Sequence, residues 1–414
     1  MRPDSSPDPE PIAFGQRLKI LRTRRGMSRP VLAGLLGRSP SWLKQVESGA
    51  LQVPKLSILL RIAEALRVRE LSELTGDDGR SGSLFAGPGH PRLPDVRAAL
   101  DAFPTVGDRP APSAVHLQAR LARAWSARHS SPNHREVVGA LLPDLIADAQ
   151  CAARQADTPA AREAAQSVLA HVYFLTQFFA AYQPDAPLLW RVAERGMVAA
   201  HDSGDPHTVA IAAWLLAEAH RDRGTDHLDA AAAVAEGALR HLEAHLPDAD
   251  HAVLAMTGAL HAAAGFTAAR RCDAGTAWRH WDLADTIAAR LPRGYFHPVT
   301  SFSRSVMGAH AVTIAVELRA GGESVRQAAR VDASAIPSRP RRARHRVEEA
   351  RGHHLAGSAD VALATLEHAY LAAPETVRYN GYARAILLEE AESRNVALRE
   401  RAASLAVKVG VLSA

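Results

Sequence analysis

The sequence predicts an all-α protein in two parts: a small helical bundle followed by a long series of helical hairpins. Three observations carry this. Hydrophobic residues make up 47% of the 414 residues but aromatic ones only 5%, and Ala is abundant, a composition suited to closely packed helices. Apolar residues recur at helical spacing from Phe14 onward, with no sustained alternation of the kind a strand needs. A small–large–small pattern returns several times in the second half of the chain, the mark of a repeated helical unit.

The N-terminal stretch MRPDSSPDPEP (residues 1–11) has no apolar segment and reads as a disordered tail, not a signal peptide. Residues 12–76 form the first domain. Phe14, Leu18 and Leu21 mark one face of a first helix, with Arg17, Lys19, Arg22, Arg24 and Arg25 opposite and Gly26 ending it. A second helix covers about Arg29 to Leu36 and a third about Pro40 to Glu47. Ser28 and Ser39 precede them as N-caps, and Pro30 and Pro40 lie in first turns where a missing N–H costs nothing. Ala33 falls where the two helices approach most closely, and Gly37 where the chain must turn through positive φ. Leu32, Leu43 and Val46 supply buried contacts. A fourth helix follows Pro54, with Leu56, Leu59, Leu60, Ala63 and Leu66 inward, and Leu71 and Leu74 open a fifth.

Charge points the same way. Residues 1–76 carry 13 Lys or Arg against 7 Asp or Glu, whereas the remainder carries 36 against 37. A basic module beside a near-neutral partner is the footprint of phosphate binding confined to one end.

On Leu32, Ala33, Gly37, Leu43, Val46, Glu47, Gly49, Pro54 and the Ile62–Leu66 helix end, residues 12–76 resemble the lambda-repressor-like, XRE-family helix-turn-helix domain. The resemblance implies a five-helix fold, double-stranded DNA as partner, and base reading from the N-terminal half of the third helix. Carried over, Pro40, Ser41, Lys44 and Gln45 face the groove. Lys44 and Gln45 offer the donors suited to guanine and adenine edges. Arg29, Ser39 and Ser48 complete the expected DNA-binding set, with Arg29 and Ser48 holding phosphates. Two features depart from the family. Pro40 lacks a donor, and Ala50, Leu51 and Gln52 are not basic. Trp42 either packs against the fourth helix or touches sugar or a thymine methyl. Glu47 reads as an acceptor bonded within the domain, since a carboxylate facing phosphates would be repelled.

Residues 77–111, rich in Gly, Pro, Asp and Ser, read as a linker, with Val96, Leu100 and Phe103 as a short amphipathic piece able to dock. Residues 112–414 are helical throughout, with turns at HDSGDP, RDRGTDH, RCDAG, RAGGE and LAGSAD. Ala186, Trp190 and Ala193 share offsets of 0, +4 and +7 with Ala230, Val234 and Gly237; with Ala277, Trp281 and Ala284; and with Ala362, Leu366 and Ala369. The starts are 44, 47 and 85 residues apart, the last nearly two periods, and a unit near 320–337 fits poorly. The pattern, ending in Pro374, resembles the second helix of a tetratricopeptide (TPR) repeat, so a TPR-like α-solenoid of five to seven hairpins is expected. The two-part layout resembles actinobacterial XRE regulators with C-terminal TPR-like domains, in AWRHWDLADTIAARLP, IPSRPRRARHRVEEA and LEHAYLAAPETVR above all.

No catalytic constellation is legible, so an enzyme is not expected. Cys151 and Cys272 are too few and too distant for a disulfide framework or a metal site. Among 20 histidines, His353 and His354 are adjacent and diverge by about 100° on a helix. No metal and no cofactor are expected. No apolar run of about 18 residues suggests a membrane span, and a cytoplasmic protein is expected. Glu348-Glu349 and Glu389-Glu390 suit solvated faces. The run Arg339, Arg341, Arg342, Arg344 and Arg346 is either a solvated face or a clamp for an anion or a DNA phosphate. Tyr173, Phe174, Phe178, Phe179 and Tyr182 either pack in the core or line a ligand groove. The reading is a sequence-specific transcriptional regulator, a homodimer whose solenoid dimerises and senses a peptide or small-molecule effector. The alternative is a TPR-type interaction scaffold with a weakly specific DNA-binding domain.

Overall fold

The computed structural model describes residues 14–51, 56–68, 74, 89–102 and 110–412. Among them are twenty α-helices and no strand. The chain divides into two compact units, residues 1–85 and 86–414.

In the first unit, α1 (Phe14–Arg24), α2 (Arg29–Leu35), α3 (Pro40–Glu47) and α4 (Leu56–Ala65) enclose Leu18, Leu32, Ala33, Leu36, Leu43, Ile62 and Leu66, all fully buried. The caps are formed as the sequence predicts. Ser28 Oγ accepts from Val31 N, and Ser39 Oγ accepts from Trp42 N. Gly37 turns the chain at φ +61°. The N-terminal tail, Gln52, Pro54, Leu71 and residues 77–88 lie outside the described residues, so of the expected fifth helix only Leu74 is described, and it is buried.

A close approach absent from the sequence reading holds α1 against α3. A Cβ on Gly15 would press into the backbone carbonyls of Val46 and Glu47, 2.6 Å from the latter. Backbone cannot rotate away as a side chain can. Gly15→Ala should therefore cost about 1–3 kcal/mol as α1 is pushed off α3, read as a lower thermal midpoint for the first unit.

The second unit opens with α5 (Leu93–Asp101), which revises the linker expectation. Residues 93–101 are helical, and Leu93, Val96 and Leu100 are buried in the main core of the unit. The Gly/Pro-rich composition describes only the flanks of this helix; its own apolar spacing decides its place. Then follow α6 (Ala114–Ser130), α7 (His134–Gln155), α8 (Pro159–Ala180), α9 (Ala186–Asp202), α10 (Pro206–Asp222), α11 (Leu228–Glu243), α12 (His251–Arg270), α13 (Ala274–Arg290), α14 (Met307–Glu317), α15 (Gly321–Ala328), α16 (Arg339–Leu355), α17 (Ala359–Ala372), α18 (Pro374–Arg378), α19 (Gly381–Glu390) and α20 (Val396–Lys408). They pack as consecutive helical hairpins, α6/α7 through α16/α17, closed by α19/α20.

The four small–large–small sets fall on α9, α11, α13 and α17, each the second helix of its hairpin. On α17 all three residues, Ala362, Leu366 and Ala369, are fully buried. On α11 the register is off by one: Ala231, Ala235 and Ala238 are buried, while Ala230, Val234 and Gly237 are half-buried. Ala231, Ala235 and Ala238 form an all-Ala stripe beside Ala230, Val234 and Gly237, and the neighbouring helices cover the all-Ala one. The poorly fitting unit near 320–337 is the shortest hairpin, α14/α15.

Helix α12 is the one helix among the described residues long and apolar enough to cross a membrane, contrary to the expectation of no such run; 78% of its apolar window is buried inside the protein. It is the central core helix of this unit, packed on α13 and α14.

Polar contacts draw the two ends of the second unit together. Glu375, on α18, caps the start of α7. Its Oε2 accepts from Arg135 N at 2.5 Å and its Oε1 from Glu136 N at 3.2 Å, with His90 Nε2 3.3 Å away. His129, at the end of α6, lies 2.9 Å from Ser338 Oγ and 2.7 Å from the Pro298 carbonyl. Glu317 sits between Arg270 and Arg351. Burial alone would raise its pKa, but the two guanidinium groups outweigh that and hold it well below the ordinary carboxylate range.

Several histidines are held neutral by their surroundings. Desolvation, then the charge of Arg128, lowers His129 to about 4, and desolvation, then His207, lowers His171 to about 4. The unfolded chain binds protons more readily than the folded one at these sites. Their contribution to stability is complete above about pH 6.5 and is lost as pH falls toward 4. The thermal midpoint of the second unit should drop by about 2 °C or more between pH 7 and pH 5. Calorimetry across that range checks it; a flat profile would contradict the lowered pKa values of His129 and His171.

Candidate nucleic-acid interface

The segment 27–51 has a single carboxylate, Glu47, and the fold removes it from the surface. Its side chain is 1% exposed. Arg22 Nε donates to Oε1 at 2.5 Å, Arg22 Nη2 to Oε2 at 3.2 Å, and Arg29 Nε to Oε2 at 2.7 Å. Burial pushes the Glu47 carboxyl up, but the bonds from Arg22 and Arg29 outweigh it, and its pKa lies below the ordinary value. Arg22 Nη1 also donates to the Met27 carbonyl at 2.7 Å, tying α1 to the residue that leads into α2. One buried cluster thus fixes α1, α2 and α3 together, as the internal-acceptor reading of Glu47 expects.

This corrects the view of α1 as having one basic outer face. Arg22 is buried in the Glu47 cluster, and Arg25 Nε donates to the Leu66 carbonyl. Their guanidinium groups are structural. Lys19 and Arg24 remain exposed.

On α3 the side chains divide by periodicity. Leu43, Val46 and Glu47 turn inward, whereas Pro40, Ser41, Lys44 and Gln45 are exposed, together with Ser39 before the helix and Ser48 after it. The six are solvent-exposed, and the Arg29 side chain is 40% exposed. The Ser39 hydroxyl oxygen serves as the cap, and the Ser48 hydroxyl donates back to the Gln45 carbonyl at 3.1 Å. Arg29 has its Nε committed to Glu47, which ties the half-exposed guanidinium to α3. Ser41, Lys44 and Gln45 therefore have the freest polar groups of the set. Trp42 is half-buried, with the Arg38 guanidinium 5.6 Å from its ring centre, a cation–π contact that sequence reading did not anticipate.

The surface formed by segment 27–51 is thus donor-rich and shows no carboxylate. A helix-turn-helix domain family model matches residues 13–74. The first unit is a helix-turn-helix domain. No curated protein matches the chain. Two solved structures resemble it at low identity. One is Bacillus thuringiensis PlcR in complex with the peptide PapR7 and DNA, with TM-score 0.29 and 12% identity, covering 85% of this chain and 98% of that one. The other is ComR from S. thermophilus in complex with DNA and its signalling peptide ComS, with TM-score 0.20 and 16% identity, covering 67% of this chain and 93% of that one.

In the second unit the aromatic set splits. Tyr173, Phe174 and Phe179 are core, whereas Phe178 is half-buried and Tyr182 is exposed. The basic run splits too. Arg344 pairs with Glu348 at 2.5 Å and Arg346 with Glu349 at 3.4 Å, while Arg341 and Arg342 have no carboxylate within ion-pair distance among the described residues. A cavity of about 470 Å³ lies between α6 and α8, lined by Trp125, His129, His171 and Phe296.

Proposed function

We propose that the chain is a sequence-specific transcriptional regulator that binds operator DNA through α3. The observation that carries this is the exposed face of Ser41, Lys44 and Gln45, mounted on a segment whose one carboxylate is buried and neutralised by Arg22 and Arg29. Lys44 and Gln45 read base edges, and Arg29 and Ser48 hold the backbone on either side. The second unit dimerises and binds an effector, a peptide or small molecule. In a dimer the two α3 helices would read half-sites about 34 Å apart, or a multiple of that. The protein acts by binding, not catalysis, in the cytoplasm and without a metal or cofactor.

Selection of bound DNA by the purified protein tests this. Lys44→Ala or Gln45→Ala should each relax sequence preference at one position, by about 1–3 kcal/mol in discrimination. Arg29→Ala should weaken binding to all sequences alike and lower the salt slope by about 1. Light scattering should show a dimer.

Pro40 favours one competing reading. It is exposed, carries no donor and stands first on the recognition helix, as a protein-interaction scaffold with a weakly specific domain would tolerate. The same selection separates the two, since a scaffold enriches no motif.

A further inference from the structure

We infer that the cavity between α6 and α8 binds a neutral, planar aromatic molecule bearing a hydroxyl group. This rests on the effector reading above and gives its small molecule a class and a place.

The cavity measures about 470 Å³, a size suited to a small molecule. Helix α6 contributes Leu121, Trp125 and His129 to its lining, α8 contributes Val168 and His171, and the segment after α13 contributes Phe296. Three of these residues form an aromatic corner. The His129 ring is nearly parallel to that of Trp125, at 22° with centres 5.9 Å apart, and meets Phe296 at 84° and 5.1 Å. Ring faces and ring edges together suit a planar aromatic guest, because aromatic pairs favour stacked and edge-on contacts.

The corner is held by bonds of its own. His129 Nε2 donates to the Pro298 carbonyl and its Nδ1 lies 2.9 Å from Ser338 Oγ, so both ring nitrogens are committed. Ser338 is the N-cap of α16, so this wall of the cavity is tied to the start of that helix. Phe296 adjoins His297, which is fully buried. The His297 Nδ1 accepts from Thr300 N at 3.2 Å, and its Nε2 lies 3.0 Å from His207 Nε2. These contacts pin the segment that carries Phe296.

Charge selects the guest. No Asp, Glu, Lys or Arg lines the cavity among the described residues. His129 and His171, each lowered to about 4 with desolvation as the first cause, are neutral at pH 7. An ion entering here would lose hydration and meet no counter-charge in the lining. The polar groups that remain are uncharged. Thr208 Oγ1 donates its proton to Asp205 Oδ2 at 2.5 Å, so toward His171 Nε2, 3.5 Å away, it acts as acceptor. His171 then keeps its proton on Nε2, and Nδ1 is an acceptor without a partner among the described residues. The Ser126 and Ser167 hydroxyls, also in the lining, have no partner among the described residues either. A guest hydroxyl suits this set, since it donates to an imidazole nitrogen and accepts from a serine. A second cavity of about 410 Å³, between α7, α8 and α9, differs in kind: Arg154, Glu194, Arg195 and Asp202 line it.

Thermal unfolding and calorimetric titration of the full-length protein at pH 7 test this with 2-naphthol, its methyl ether and the anion 2-naphthoate. Naphthol should raise Tm and bind most tightly, with the ether weaker by about fivefold for one lost hydrogen bond. Naphthoate should bind more weakly than either. Ala122→Trp, at an exposed lining position, should abolish naphthol binding by filling the mouth. Val198→Trp, at an exposed position of the second cavity, should leave it unchanged. His171→Phe keeps a ring and loses the acceptor, so naphthol should fall to the level of the ether. If either cavity variant fails to fold, Ser126→Trp, also exposed, blocks the same mouth. No shift with naphthol, equal binding of naphthoate or of the ether, or full binding by a variant with a blocked mouth overturns the assignment. Naphthol binding that leaves operator affinity unchanged upholds the cavity and defeats the effector reading.

Discussion

Replacing Glu47 by Ala should unfold the first unit at temperatures where the second stays folded, and abolish DNA binding with it. Arg22 would lose both its carboxylate bonds while still buried, with its side chain only 10% exposed. Removing one partner of a buried ion pair costs about 3–5 kcal/mol, because the remaining charge stays desolvated. Arg29 adds less, being more exposed and better screened. A domain has only about 5–15 kcal/mol of stability to lose. Calorimetry should show an early transition split from the main one, and Glu47→Gln, which keeps one acceptor, should fall between. The same site gives an acid sensitivity. The Glu47 carboxyl is lower in pKa folded than unfolded, so its contribution is complete above its unfolded value of about 4.3. It is lost as pH falls through the lowered folded value. An unsplit transition in Glu47→Ala would show that apolar packing alone holds α1 to α3.

Glu375→Ala should release the C-terminal helices of the second unit from α5 and α7. Asn133 makes no side-chain cap at the start of α7, and Glu375 supplies the acceptors instead. Its carboxylate also favours the positive end of the helix dipole. Each hydrogen bond to a charged group contributes about 1.5–3 kcal/mol, so losing this set should cost about 3 kcal/mol or more. Hydrogen exchange should rise in the first turn of α7 and around His90, with little change in α12 and α13. Exchange that rises evenly throughout would mean the contact closes nothing in particular.

The first unit was largely legible because its signals are local. Caps at Ser28 and Ser39, prolines in first turns and a glycine at positive φ each act within four residues, so the sequence states them directly. The inward role of Glu47 was also legible, from what a carboxylate cannot do beside phosphate. Its partner Arg22 was not, because helical spacing places it among the solvent-facing arginines of α1, and only α3 packing against α1 reveals the acceptor. Gly15 was missed for the same reason: an isolated glycine in a helix shows nothing until a backbone passes over it. In the second unit the repeat located the second helix of four hairpins, yet slipped by one on α11, where small residues stand on two adjacent stripes. The buried Glu375 cap joins residues 240 apart, beyond any local pattern. The pairs Arg344–Glu348 and Arg346–Glu349 lie within α16 at local helical spacing.

The most direct test of the central claim is selection of bound DNA with the full-length wild-type protein and with Lys44→Ala. The account predicts an enriched motif with the wild type, and loss of preference at one position of that motif with the variant. No enriched motif, or the same motif at unchanged strength from both proteins, would contradict base reading by α3.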